Sequence, residues 1–154
     1  MIEMTIRKLV EQWQLAPHPE GGWYREIHRS SIQISRADGE HRCGITTVLF
    51  LLAQDQVSRW HRVIGADEVW THLQGSHLNL YRLDGKDHEP ETLNLSGEQP
   101  VHVIPAGHWM AARTQGLYTL VSCCVGPGFE FADFEMLANT PEQTWPKAVI
   151  RELV

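Results

Sequence analysis

The chain has 154 residues, 42% apolar and 21% charged, with 12 glycines and 8 prolines, which excludes a disordered, fibrous or linker-dominated polypeptide. Thirteen Lys and Arg stand against nineteen Asp and Glu, a net charge of −6 with no basic run longer than two residues, so neither nucleic acid nor an anionic membrane is an expected partner. At this length the whole of 1–154 is expected to be one domain with a sizeable core.

Ile2, Ile6, Leu9, Val10 and Trp13 recur at helical spacing, with Glu3, Arg7, Lys8 and Glu11 between them, and predict an amphipathic N-terminal helix. The same stretch has no apolar h-region, so no secretory leader and a cytoplasmic location are expected. Pro17-His18-Pro19-Glu20-Gly21-Gly22 ends the helix. Short β-rich runs follow at 23–29, 45–53, 58–61, 68–73, 77–83, 92–95, 101–104 and 117–125, with a further run carrying Phe129, Phe131 and Phe134 at 129–137. The longest apolar stretch, Val48 to Ala53, is far short of the roughly 20 residues of a membrane span. Turn signals such as Asp84-Gly85, Ser96-Gly97 and Pro105-Ala106-Gly107 separate the runs, a pattern that predicts an all-β sandwich or barrel rather than βα units. The closing stretch from Pro141 predicts a short C-terminal helix interrupted at Pro146. The three cysteines, two of them adjacent as Cys123 and Cys124, have no zinc or disulfide-framework spacing and are read as reduced, mostly buried thiols.

Alternation along 68–73 puts Glu68, Trp70 and His72 on one face, and along 77–83 it groups His77, Asn79, Tyr81 and Leu83. A mixed polar and aromatic face of this kind is either half solvated or turned toward a barrel lumen that holds a ligand.

The densest polar cluster, Ser58-Arg59-Trp60-His61-Arg62-Val63 followed by Glu68 and Gly75, resembles the first motif of the cupin superfamily. His61 takes the first His position, Glu68 the acidic position and Gly75 the closing Gly, while Val63 stands at the second His and the leading Gly is missing. Pro105-Ala106-Gly107 is similar to the core of the second cupin motif, whose following His position holds Met110 here. Together with Pro17-His18-Pro19-Glu20-Gly21-Gly22, Trp60-His61-Arg62 and the PGFEFADFE run at 127–135, the resemblance extends from about Leu15 to Glu135 and is to short single-domain cupins. It implies an all-β double-stranded β-helix, or jelly-roll barrel, with its core at about 23–137, an N-terminal helix and a short C-terminal helix. It also implies a ligand cavity at one mouth and a homodimer.

Cupin metal sites bind Mn, Fe, Zn or Ni through imidazoles and one carboxylate. His61 and Glu68 are the metal-ligand positions that survive here; Val63 cannot coordinate and the Met110 thioether is a soft ligand, so no cofactor is expected. A divalent metal is the alternative, and His72 or His108 completes the site if the backbone turns either inward. Without a metal, His61 and Glu68 are the expected catalytic residues, His61 as acid or base and Glu68 orienting it. The analogy is to metal-free cupins that epimerise or isomerise sugar nucleotides by removing a proton beside a carbonyl. Trp70, His72, Tyr81 and Trp109 are candidate ligand contacts, Trp70 as a stacking platform, and Glu20 is either a further contact or the group that fixes its own loop. Glu68 has a competing assignment as a rim partner of Arg62, and Glu130, Asp133 and Glu135 are expected to line or brace the final strand. The expected function is binding of a small polar metabolite, such as a nucleotide, nucleobase or sugar derivative, with metal-independent acid–base chemistry. A metal-dependent oxygenase or isomerase and a non-catalytic sensor or scaffold dimer are the alternatives.

Overall fold

The computed structural model describes residues 2–86 and 88–154, and the expected helix is present as α1, Ile2–Trp13. The side chains of Ile2 and Glu3 lie outside the described residues. Thirteen strands follow among the described residues. In chain order the first seven are β1 (Ala16–Pro17), β2 (Trp23–Arg29), β3 (Gln33–Ser35), β4 (His41–Cys43), β5 (Thr46–Ala53), β6 (Ser58–Val63) and β7 (Asp67–Gly75). The rest are β8 (Leu78–Leu83), β9 (Glu91–Leu95), β10 (Val101–Ile104), β11 (Trp109–Thr114), β12 (Tyr118–Gly126) and β13 (Phe134–Met136).

Two antiparallel sheets make the all-β jelly roll. One has the order β1-β2-β5-β12-β7-β10 and the other β13-β6-β11-β8-β9, while β3 and β4 pair as a separate hairpin. Between the sheets Phe50, Leu52, Trp70, Leu80, Met110 and Val121 belong to the main core. Ile6 and Leu9 of α1 bury against Leu51, Ala53 and Leu120, on the outer face of the first sheet. That cover explains why β5 reads as a continuous apolar run: Phe50 and Leu52 face the interior while Leu51 and Ala53 face the helix.

The second sheet is covered in the same way by the C-terminal stretch. Leu153 and Ile150 pack with Trp60, Leu83, Trp109 and Ala111, and Trp60 Nε1 donates to the Ile150 carbonyl at 3.0 Å. The expected short C-terminal helix is built as single 3-10 turns, at Glu142–Thr144 and Arg151–Leu153. The expected strand at 129–137 is likewise divided into a 3-10 turn, Phe131–Asp133, and the short β13. No helix among the described residues is long and apolar enough to cross a membrane. The three cysteines are free thiols.

Candidate functional site

A cavity of about 440 Å³ opens at one mouth of the barrel. Its polar floor is made by His18, Glu20, His61 and Glu68. The loop that carries His18 and Glu20 folds down onto β6. Gly21 donates its N–H to the His18 carbonyl at 3.0 Å, and Arg59 N–H donates to the Glu20 carbonyl at 2.8 Å. Gly21 is needed for that approach: its φ is +111°, and a Cβ there would run into the Val57 carbonyl oxygen.

Ser58 and His61 are three residues apart, a spacing that ordinary strand alternation places on opposite faces. The register of β6 against β11 shifts between the pairs Ala112–Ser58 and Met110–His61, so β6 carries an extra residue there. This bulge turns both side chains to one carboxylate. Ser58 Oγ donates to Glu20 Oε1 at 2.8 Å, and His61 Nε2 lies 3.0 Å from Glu20 Oε2. The other ring nitrogen, Nδ1, donates to the Arg59 carbonyl at 2.7 Å. The carboxylate that orients His61 is therefore Glu20, not the Glu68 expected from the motif.

The four groups titrate in different directions. Burial disfavours a charged His61, but the charge and hydrogen bond of Glu20, with the Glu68 charge behind them, outweigh it and raise His61 to about 9. Burial likewise opposes an ionised Glu20, and His61, His18 and Ser58 overcome it, so the Glu20 carboxyl is held below its ordinary value. Among the described residues Glu68 has no ion-pair partner at hydrogen-bond distance, and the Cys123 thiol and Trp70 indole beside it only partly offset its burial. Burial and the nearby Glu20 charge push it up to about 7, against the attraction of His61. Burial lowers His18, against the pull of Glu20. At neutral pH the floor thus holds an imidazolium–carboxylate pair, a neutral imidazole, and a carboxyl that is about half ionised. Cys123 also lines the cavity, where burial and then the two carboxylates raise its thiol well above the ordinary range and disfavour the thiolate.

The wall is aromatic. Tyr24, Phe50, Phe129, Phe131 and Phe134 line the cavity, and the last three pack edge to face with centroids 5.0–6.0 Å apart. The turn that carries them is braced from outside. Asp133 is gripped by Arg42 at 2.7 and 2.8 Å and by Arg36 at 2.9 Å, and Arg29 holds Glu130 at 2.8 Å and the Phe129 carbonyl at 3.0 Å. Glu135 pairs with Arg62 at 2.6 Å, so Glu68 is not a rim partner of that arginine.

Of the residues singled out in the sequence, the cavity brings together Glu20, His61 and Glu68. Trp70 shares the inward face with Glu68 but is 1% exposed and packs into the core, edge-on to Phe50 at 5.8 Å. His72 sits near the far end of its strand, with Nε2 3.2 Å from the Ser76 carbonyl. Tyr81 and Trp109 belong to the opposite face of the second sheet. Leu78 and Leu80 take the inward positions of β8, and Tyr81 packs near Trp60 while Trp109 lies under the Arg62 guanidinium at 4.4 Å. His108 lies in the turn before β11, outside the cavity. Sequence reasoning missed His18, Ser58, Cys123 and the phenylalanine wall. For His18 a signal exists, since it sits two residues from Glu20 in the same Pro/Gly loop.

The donor set does not fit a cupin metal. His61 offers no free lone pair, because Nδ1 donates to a backbone carbonyl and Nε2 to Glu20. Val63 and Met110, at the other ligand positions, belong to the apolar core. No three His, Cys, Asp or Glu side chains among the described residues are arranged to hold a metal ion.

A family model described as "Cupin superfamily (DUF985)" matches residues 7–137. Among solved structures, a hypothetical protein from Leishmania major is 30% identical, with 84% of this chain and 85% of that one covered and a TM-score of 0.77. A protein from Shewanella oneidensis is 32% identical over 95% of this chain and 94% of its own, with a TM-score of 0.78. A conserved protein from Klebsiella pneumoniae with a double-stranded beta-helix domain is alike in fold alone, at 12% identity, 82% and 87% coverage and a TM-score of 0.58. No curated protein matches the chain. With most of its length matched by the family model and two solved structures sharing about a third of its residues, the chain belongs to the cupin superfamily, in the family designated DUF985.

Proposed function

We propose that the cavity binds a small polar metabolite bearing a ring, such as a nucleotide, nucleobase or sugar derivative, and moves a proton on it without a metal. One arrangement carries this reading: Glu20 and Glu68 line one cavity with His61, Glu20 is paired with the imidazole at 3.0 Å and so held low, and burial pushes Glu68 up to about 7. Environments that separate two like groups in this way divide the labour of acid–base chemistry. Glu68 takes and returns the proton, because a group titrating near the working pH is available in both forms. His61, kept charged by Glu20, stabilises negative charge that develops on the ligand, and the phenylalanine wall excludes water. The reaction class is isomerisation or epimerisation. The protein is proposed to act in the cytoplasm as a homodimer, which sedimentation analysis tests.

A thermal-shift panel of sugar nucleotides, nucleobases and keto acids, followed by proton NMR in D2O, tests the chemistry. At least one compound is expected to stabilise the protein and to take up deuterium at carbon, with uptake abolished in Glu68→Gln and His61→Ala. No stabilisation by any compound, or undiminished uptake in Glu68→Gln, overturns the reading.

A further inference from the structure

The two imidazoles beside Glu20 are spent differently. Both N–H groups of His61 are consumed inside the protein, on Glu20 and on the Arg59 carbonyl. His18 Nδ1 instead receives the backbone N–H of Glu20 at 3.2 Å. The same nitrogen lies 3.5 Å from Glu20 Oε2, a longer and weaker contact, so the 3.2 Å bond decides the tautomer: Nδ1 accepts, and in the neutral ring the proton sits on Nε2. No side chain or carbonyl among the described residues accepts that Nε2 proton. The ring is held in an aromatic cage, edge-on to Tyr24 at 4.6 Å, Phe134 at 5.8 Å and Phe50 at 6.1 Å, and it lines the cavity. Burial, with the His61 charge, disfavours the imidazolium against the pull of Glu20, and the cage fixes the ring plane. The cavity therefore has, beside its carboxylates, an oriented neutral donor that no described residue satisfies.

We infer that His18 Nε2–H holds a carbonyl oxygen of the ligand, on a molecule whose ring lies against the Phe131 side of the wall. Phe131 is 52% exposed although it lines the cavity, a position suited to a surface that a ligand completes. The inference rests on the reading above for the identity of the proton carrier. In the step it implies, the C–H bond next to the carbonyl breaks and its proton goes to a Glu68 carboxylate oxygen. The electron pair moves to the carbonyl oxygen as an enolate, and His18 stabilises that oxygen as its charge grows. Return of the proton to the other face, or to the neighbouring carbon, restores a neutral product and the starting Glu68. A neutral imidazole suits this place, since His61 already supplies the positive charge and burial and that charge both oppose a second cation beside it.

Phenylpyruvate and phenyllactate test this directly, because they share a ring and a carboxylate and differ in carbonyl against alcohol. Titration calorimetry on the wild type is expected to show the keto acid bound about tenfold more tightly, the scale of one good hydrogen bond. His18→Phe, which fills the aromatic cage, is expected to bind both acids alike, and His18→Gln, which retains a donor, to recover part of the preference. Absence of a preference in the wild type, its survival in His18→Phe, or no binding of either acid at millimolar concentration overturns the inference. So does loss of the preference in Tyr24→Phe, which would transfer the role to the phenol. Nitrogen-15 NMR of the wild type needs no variant to fold: a His18 ring protonated at Nδ1 overturns the assignment, and one protonated at Nε2 alone supports it. Deuterium uptake at the phenylpyruvate methylene separates the two proposals. A carbonyl preference without uptake leaves His18 in place and removes the role of Glu68.

Discussion

Glu68→Gln tests the electrostatics of the cavity through stability alone, whatever the ligand. Burial first, and the Glu20 charge after it, raise the Glu68 carboxyl from 4.5 to about 7 while His61 opposes them. Between those two values the folded chain holds a proton that the unfolded chain has released. The stabilisation is therefore fully present below pH 4.5 and drains away as pH rises through about 7. At about 1.4 kcal/mol per pH unit, the loss from this single residue is on the order of 3 kcal/mol. Glu68 is 7% exposed, so solvent screening reduces that figure little.

Glutamine has nearly the same shape and does not ionise. Urea denaturation of both proteins from pH 4 to 9, followed by tryptophan fluorescence, gives the difference in unfolding free energy at each pH. Glu68→Gln minus wild type is expected to grow by about 3 kcal/mol between pH 4.5 and 7, then to level off. The raised pKa of His61 acts in the same sense at higher pH in both proteins, adding stability that is complete below 6.5 and lost through about 9. Two stability curves that run parallel from pH 4.5 to 7 would refute the account of Glu68 as a carboxyl raised by burial.

Glu20→Gln removes the charge that holds His61 protonated, so the His61 ring protons should titrate well below the value of about 9 in the wild type, with a stability loss of about 3–5 kcal/mol for a broken buried pair. An unchanged His61 titration would show that Glu20 does not set it. Gly21→Ala and Gly107→Ala both force a side chain onto positive φ, at +111° and +76°, but a Cβ on Gly107 meets nothing within 4 Å whereas one on Gly21 meets the Val57 carbonyl. Gly107→Ala is expected to cost about 1 kcal/mol and Gly21→Ala about 1–3 kcal/mol more by urea denaturation; equal costs would mean that the loop carrying Glu20 is not held against β6.

The elements legible in the sequence are those whose two faces meet different surroundings. α1 has a single apolar stripe, and β2 and β10 lie where expected at Trp23–Arg29 and Val101–Ile104. β11 is invisible to alternation because both its faces are covered, Met110 and Ala112 by the core and Trp109 and Ala111 by the C-terminal stretch. The same cover explains Tyr81 and Trp109. Periodicity tells which residues share a face, but which face looks inward depends on what packs outside, and for Tyr81 and Trp109 that is the distant C-terminal stretch around Ile150. Glu68 and His61 reach one cavity as the motif spacing implies. The pairing of Glu20 with Ser58 and His61 is not legible, because 38 residues separate Glu20 from Ser58 and the contact is made by a glycine loop meeting a bulged strand.

Val63 and Met110 also change what His61 is. In a metal site an imidazole supplies a lone pair, and the metal carries the positive charge. Here the apolar side chains at those two positions leave no second or third donor, and His61 turns its Nε2 to Glu20 instead. The ring becomes a cation with both protons in use, and the positive charge at the floor belongs to the protein itself. Burial first, and the Glu20 charge after it, raise Glu68 toward neutrality, against the His61 charge and the weaker pull of Cys123 and Trp70. A fixed cation and a labile carboxyl thus share one hollow. A histidine placed at position 63, which also lines the cavity, is expected to disturb that division, because its imidazole would give Glu68 an ion-pair partner.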